Sequence, residues 1–169
     1  PAPFIANPKS AQQGYITSEP FAVEREGGFK PNLFLVADYG FDTYSSTIEV
    51  MQETIDTKPD VVKCFVEGSI KGWYNYLYGD NAAANALIQK DNPDMSDEQI
   101  AFSIGKLKEY GIADSGDTET MGIGAMTDER IASFYAKMVK AGVVKDGIDI
   151  KAAYTLDYIN NGLGLELKK

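Results

Sequence analysis

The sequence predicts an α/β fold, and three observations predict it. A continuous apolar pentad, Leu33-Phe34-Leu35-Val36-Ala37, is bounded by Pro31 and by Asp38-Tyr39-Gly40, the make-up of a strand covered on both faces. Two further β-prone runs lie on either side of it, at residues 14–18 and 46–51. From residue 57 onward, apolar residues recur at three- and four-residue spacing, the period of helices. Three short strands are too few to bury four amphipathic helices, so strand partners are expected upstream of the chain, which reads as the end of a larger α/β protein.

Taken in order, Gly14-Tyr15-Ile16-Thr17-Ser18 is the first expected strand, and Glu19 to Glu26 suits a short helix closed by Gly27-Gly28. The pentad and the run Ser46-Thr47-Ile48-Glu49-Val50-Met51 are the other two strands, separated by a polar and aromatic loop. Thr57 and Asp60 mark the start of a helix whose buried stripe is expected to be Val62, Phe65, Val66, Ser69, Trp73 and Leu77, with Tyr74 and Tyr78 on a flank. A second helix runs from Asp80 to the Asp91-Asn92-Pro93 stop. Ser96 with Gln99 forms a capping box for a third, carrying Ile100, Ile104 and Leu107 and ending at Gly111. Thr127 caps a fourth, with Asp128 and Glu129 at the positive end of its dipole, Ile131, Phe134, Tyr135 and Met138 facing inward, and Gly142 at its end. A short last helix is expected near residues 155–159, before a Gly162-Leu163-Gly164 tail.

Composition narrows the function. Twenty-five acidic against 16 basic residues leave a formal net charge of −9, which repels polyphosphate and argues against a nucleic-acid partner. No apolar run approaches the length of about 20 residues that spans a bilayer, so the chain is not expected to be membrane-embedded. Histidine is absent, which removes the commonest general base and the commonest transition-metal ligand; neither a catalytic residue nor a metal site nor a cofactor is expected. The single Cys64 has no partner for an internal disulfide and is expected to be a small buried side chain of the long helix.

Two segments concentrate chemistry. At Gly14 to Pro20 a strand end hands over to a helix N-terminus, the place where open α/β sheets bind ligands. There Thr17 and Ser18 offer hydroxyls, Glu19 a carboxylate for an amine or aminopyrimidine-like group, and Tyr15 a stacking face; an ordinary Ser18 N-cap explains the same residues without a ligand. In Asp38-Tyr39-Gly40-Phe41-Asp42-Thr43-Tyr44, three rings and two carboxylates fall within seven residues, a composition that lines pockets or packs back on a core. Gly72 to Tyr78 reads as core packing, and Met121-Gly122-Ile123-Gly124-Ala125-Met126 as a tight turn or a loop near a solute, since it lacks the third glycine of a dinucleotide loop.

These runs, Gln13 to Phe21, Ala37 to Tyr44, Gly72 to Asn85 and Met121 to Asp128, resemble the C-terminal half of periplasmic solute-binding proteins of ABC transporters. The group resembled is the nitrate/sulfonate/taurine one, in the branch similar to thiamine-pyrimidine-precursor binders. The resemblance implies a type II periplasmic-binding-protein fold, two α/β lobes with a solute in the cleft between them. On this reading residues 1–36 end the second lobe and carry a hinge strand. Residues 37–169 would give the hinge loop and the helical C-terminal part of the first lobe, the N-terminal half of the full protein being absent. It also implies a small heteroaromatic, amine-bearing or sulfonate-type solute, an inner-membrane ABC permease as partner, and a periplasmic or, in a Gram-positive cell, lipid-anchored extracellular location. Tyr15, Thr17, Ser18, Glu19, Tyr39, Phe41 and Asp42 are the expected ligand-binding residues, with no catalysis. Pyrimidine-synthesis enzymes of similar fold are the alternative; they depend on histidine and a cysteine-rich motif that this chain lacks. A third reading is a structural remnant in which two chains complete each other's sheet.

Overall fold

The computed structural model describes residues 1–168. It divides into two compact units, Pro1–Phe34 with Gly79–Ala113, and Leu35–Tyr78 with Asp114–Lys169. The first unit is thus made of two chain segments, and so is the second.

The first unit holds α1 (Ala2–Ala6), α2 (Glu19–Gly27), α5 (Ala82–Asp91) and α6 (Asp97–Glu109). Pro20 sits in the first turn of α2, where its missing N–H costs nothing, and Gly28 closes the helix at φ 71°, its N–H reaching the Glu24 carbonyl. Ser96 caps α6 through a bond from the Gln99 N–H at 3.2 Å, with Asp97 and Glu98 in the first turn and Lys106 and Lys108 in the last, each matched to the helix dipole. The unit's core is Val23 of α2 and Ile100 of α6, both almost fully buried, beside the Phe21 and Phe102 rings, whose centroids are 5.4 Å apart.

The second unit holds α3 (Gln52–Thr57), α4 (Pro59–Tyr78), α7 (Thr118–Met121) and α8 (Asp128–Lys140), with 3-10 turns at Val36–Tyr39, Ile150–Ala153 and Leu165–Leu167. Along α4, Val62, Val66, Ile70, Tyr74 and Leu77 form the buried stripe. Burial of each such side chain contributes about 1.5–3 kcal/mol, making α4 the backbone of this core. Tyr74, 1 % exposed, carries the turn that follows α7: its hydroxyl accepts the Ile123 N–H at 3.2 Å, and Ile123 and Ala125 are buried against the same core. Residues 121–126 are therefore a packed tight turn. Gly164 packs closely against the same ring; a Cβ there would come within 2.5 Å of Tyr74 Cδ2, and its φ of 83° already favours glycine.

Several sequence expectations are corrected here. No strand is present among the described residues, so the α/β class is not met by this chain on its own. Residues 14–18 form a turn, with the Ser18 and Glu19 N–H groups on the Tyr15 carbonyl; residues 33–35 lead into the 3-10 turn at Val36–Tyr39; residues 46–50 are irregular. The physical reason is that a β run becomes a strand only when a neighbour takes its N–H and C=O groups. The buried face of α4 is rotated from the expected one: Tyr74 is interior, while Phe65 is 63 % and Trp73 42 % exposed, and Cys64 is exposed too. A helix apolar on two sides gives two candidate stripes, and packing chose the one reaching Ile123 and Gly164. The short helix expected near 155–159 is absent, residues 150–153 forming a 3-10 turn instead. The α6 capping box is half formed: Gln99 Nε2 donates to the Thr17 carbonyl and Ser103 Oγ.

Candidate functional site

In the first unit, the segment before α2 folds on itself around Glu19. The Tyr15 N–H and the Ser18 hydroxyl both donate to Glu19 Oε2 at 2.5 Å. This reverses the expected cap: the Ser18 side chain accepts no helix N–H, and the Glu19 carboxylate reaches back to the preceding turn. Gly14 makes the fold-back possible, since a Cβ there would stand 2.6 Å from Glu19 Cγ and 2.8 Å from its Cβ. Burial opposes ionisation of Glu19, but the bonds from Ser18 and Tyr15 outweigh it and hold the carboxyl below its ordinary value of 4.5. The carbonyl of Thr17 is fixed to α6 by Ser103 Oγ at 2.7 Å and Gln99 Nε2 at 3.3 Å. Thr17, Ser18 and Glu19 are half-buried, whereas the Tyr15 ring is 70 % exposed. The loop thus presents a free aromatic face beside an anchored carboxylate.

In the second unit, the loop at residues 38–44 is fastened to α8, at its first turn through Arg130 and at its last through Lys137. Lys137 Nζ donates to Asp42 Oδ1 at 2.7 Å, and Arg130 Nε donates to the Asp42 carbonyl at 2.7 Å. The Arg130 guanidinium stacks over the Tyr44 ring at 4.4 Å, and the Tyr44 hydroxyl accepts the Thr127 N–H at 3.0 Å. The bond from Lys137, helped by the Asp42 N–H, lowers the Asp42 pKa below its ordinary 3.8. Its carboxylate is therefore an ionised clasp on α8. Tyr39 and Phe41 are left outside this clasp, 68 % and 42 % exposed.

Of the seven expected ligand residues, Tyr15, Thr17, Ser18 and Glu19 are brought together in the first unit and Tyr39, Phe41 and Asp42 in the second. Thr127, Arg130 and Lys137 hold the second loop and were missed by the sequence reading; the signal available was the pair of cations seven residues apart on one face of a capped helix. Asp114, 7 % exposed, bonds the Tyr78 hydroxyl and lies 3.1 Å from Lys168 Nζ, a cluster assembled from positions too distant in sequence to announce itself. A further open cavity of about 460 Å³, lined by Phe21, Glu24, Arg25 and Glu98, lies on α2 and α6. No group of three or more Cys, Asp or Glu side chains among the described residues is arranged to hold a metal ion, and no described helix is long and apolar enough to cross a membrane.

Residues 7–84 match the family NMT1/THI5 like. The matched stretch is a little under half of the chain, and it contains all seven expected ligand residues together with α2, α3 and α4. The family includes solute-binding proteins of ABC importers, which typically have a periplasmic-binding-protein fold and are periplasmic or extracellular. No curated protein and no solved structure gives a match.

Proposed function

We propose that this chain belongs to the solute-binding component of an ABC importer and that it captures a small solute without transforming it. The observation that carries the proposal is the NMT1/THI5-like match over residues 7–84, which encloses both chemistry-bearing loops. The geometry of those loops supports it. Each offers exposed rings, Tyr15 in one and Tyr39 with Phe41 in the other, next to a carboxylate held ionised by its own hydrogen bonds. Rings supply a flat apolar wall and a fixed carboxylate supplies an acceptor, the combination that suits a heteroaromatic or amine-bearing solute of the pyrimidine-precursor kind. Glu19 Oε1 is the acceptor we assign to the solute's N–H, since Oε2 already takes two bonds from the protein. The periplasm, or the outer face of a lipid-anchored protein, is the matching location, and an inner-membrane permease the matching partner.

Titration calorimetry of the protein with aminopyrimidine precursors, taurine and alkyl sulfonates tests this reading. Heat with a pyrimidine precursor that is lost in Glu19→Gln is the expected result. Binding of a sulfonate alone moves the solute class, and no binding by any of the three overturns the substrate assignment.

A further inference from the structure

We infer that Gln99 and Ser103 of α6 are positioning residues for the site built around Glu19: together they clamp the Thr17 carbonyl and so hold the turn that carries the carboxylate and the Tyr15 ring. The turn is closed within itself. The Ser18 and Glu19 N–H groups reach the Tyr15 carbonyl at 3.0 and 3.2 Å, and the Tyr15 N–H and the Ser18 hydroxyl reach Glu19 Oε2. Such a ring of local bonds has no outside reference, and the Thr17 carbonyl supplies one. Ser103 Oγ lies 2.7 Å and Gln99 Nε2 3.3 Å from it, across 86 and 82 residues of chain. No other hydrogen bond among the described residues ties residues 11–18 to an element beyond α2. The Thr17 carbonyl belongs to the peptide that leads into Ser18, so a shift there moves the hydroxyl on which the Glu19 carboxylate rests.

Two features set this clamp apart from ordinary helix stabilisation. Ser96 and Gln99 have the spacing of a capping box, in which the glutamine amide returns to the Ser96 N–H. The Gln99 amide instead turns to Thr17 and Ser103, so α6 gives up half of its local cap for a distant loop, a departure from local rules of the kind expected near a functional site. The Ser103 hydroxyl has one proton and two carbonyls in range, that of Thr17 at 2.7 Å and that of Gln99 in its own helix at 2.8 Å. Rotation about a single bond hands the proton from the loop to the helix without leaving the hydroxyl unpaired, so the clamp releases at little cost. Thr17, Gln99 and Ser103 are all half-buried, where a hydrogen bond is stronger than in open water. Both α6 residues lie outside the family-matched stretch, which therefore does not account for them.

A role in binding rests on Glu19 being the solute's acceptor, as proposed above; a role in holding the turn does not, and the two are measured separately. Amide exchange followed by nuclear magnetic resonance on the free protein reads the turn. In Ser103→Ala the Tyr15, Ser18 and Glu19 N–H groups are expected to exchange about tenfold faster, with Leu107 of α6 unchanged, while Ser103→Thr, which keeps the hydroxyl, should exchange like the wild type. Gln99→Glu, able to close the capping box but not to donate to Thr17, should loosen the same three amides and leave α6 intact. Burial already opposes ionisation of Glu19, so loosening the bonds from Ser18 and Tyr15 in Ser103→Ala should let its carboxyl titrate upward from below the ordinary 4.5, although no charge has changed. Calorimetry with 4-aminopyrimidine reads the site: Ser103→Ala should bind it about tenfold more weakly, and Ser103→Thr like the wild type. Unchanged exchange at residues 15, 18 and 19 in both Ser103→Ala and Gln99→Glu overturns the inference, as does a Ser103→Ala protein that binds as tightly as the wild type. A wild type that does not bind 4-aminopyrimidine, with exchange altered as expected, removes the solute assignment and upholds Gln99 and Ser103 as the residues that position the turn.

Discussion

Glu19 is a carboxylate bound by its own chain, and its behaviour with pH follows from that. Its pKa in the folded protein is below the ordinary 4.5, so it contributes stability that is present above that value and lost as pH falls through the folded one. Glu19→Gln is therefore expected to lower the urea midpoint near neutrality, and the difference from wild type should close in acid. A gap that persists at low pH would show that ionisation plays no part. Gly14→Ala should mimic part of this loss, since the new methyl displaces the Glu19 stem that folds against position 14. Tyr74 sets a second residue-scale test. Removing its hydroxyl in Tyr74→Phe leaves the Ile123 N–H buried without its acceptor and should cost about 1–3 kcal/mol by denaturant unfolding. Gly164→Ala should cost more than about 1 kcal/mol, because a methyl at that position both meets the ring and strains a positive φ.

At the scale of elements, the ends of helices were legible because they are written locally. Ser96 and Thr127 cap α6 and α8 as their sequences say, through bonds from Gln99 and Arg130 N–H groups at 3.2 and 3.3 Å. Thr127→Ala is expected to lower stability by about 0.5–2 kcal/mol, read as a shift in the thermal midpoint. Faces and strands were less legible, because they depend on what lies across from them. α4 offers Phe65 and Trp73 on one side and Tyr74 and Ile70 on another, and only the tertiary contacts with Ile123 and Gly164 select between them. The run Leu33 to Ala37 has the residues of a strand and no sheet to join. The same limit holds for the site: the rings and carboxylates of residues 15–19 and 38–44 could be named from composition. The Lys137 and Arg130 clasp on Asp42 is a contact across nearly ninety residues of chain and more, and no local pattern encodes it.

For the whole molecule, the exposed apolar side chains are concentrated in one stretch, with Phe34, Val36, Tyr39, Phe41, Ile48 and Met51 all well exposed between residues 34 and 51. Chymotrypsin is expected to cut first there, at Phe34, Tyr39 or Phe41, as mass spectrometry of the earliest fragments would record. A solute held by Tyr39 and Phe41 should slow those cuts selectively, whereas equal protection across the chain would place it elsewhere. Trp73 carries a last consequence. It is the sole tryptophan, already 42 % exposed in the folded state, with Tyr76 edge-on to it at 6.1 Å. Its indole is wet before the chain is denatured, so the colour of its emission should shift little during unfolding and would pass for a protein that never melts. Tyr74, sealed in the interior, is the chromophore whose near-ultraviolet dichroism should vanish with the core.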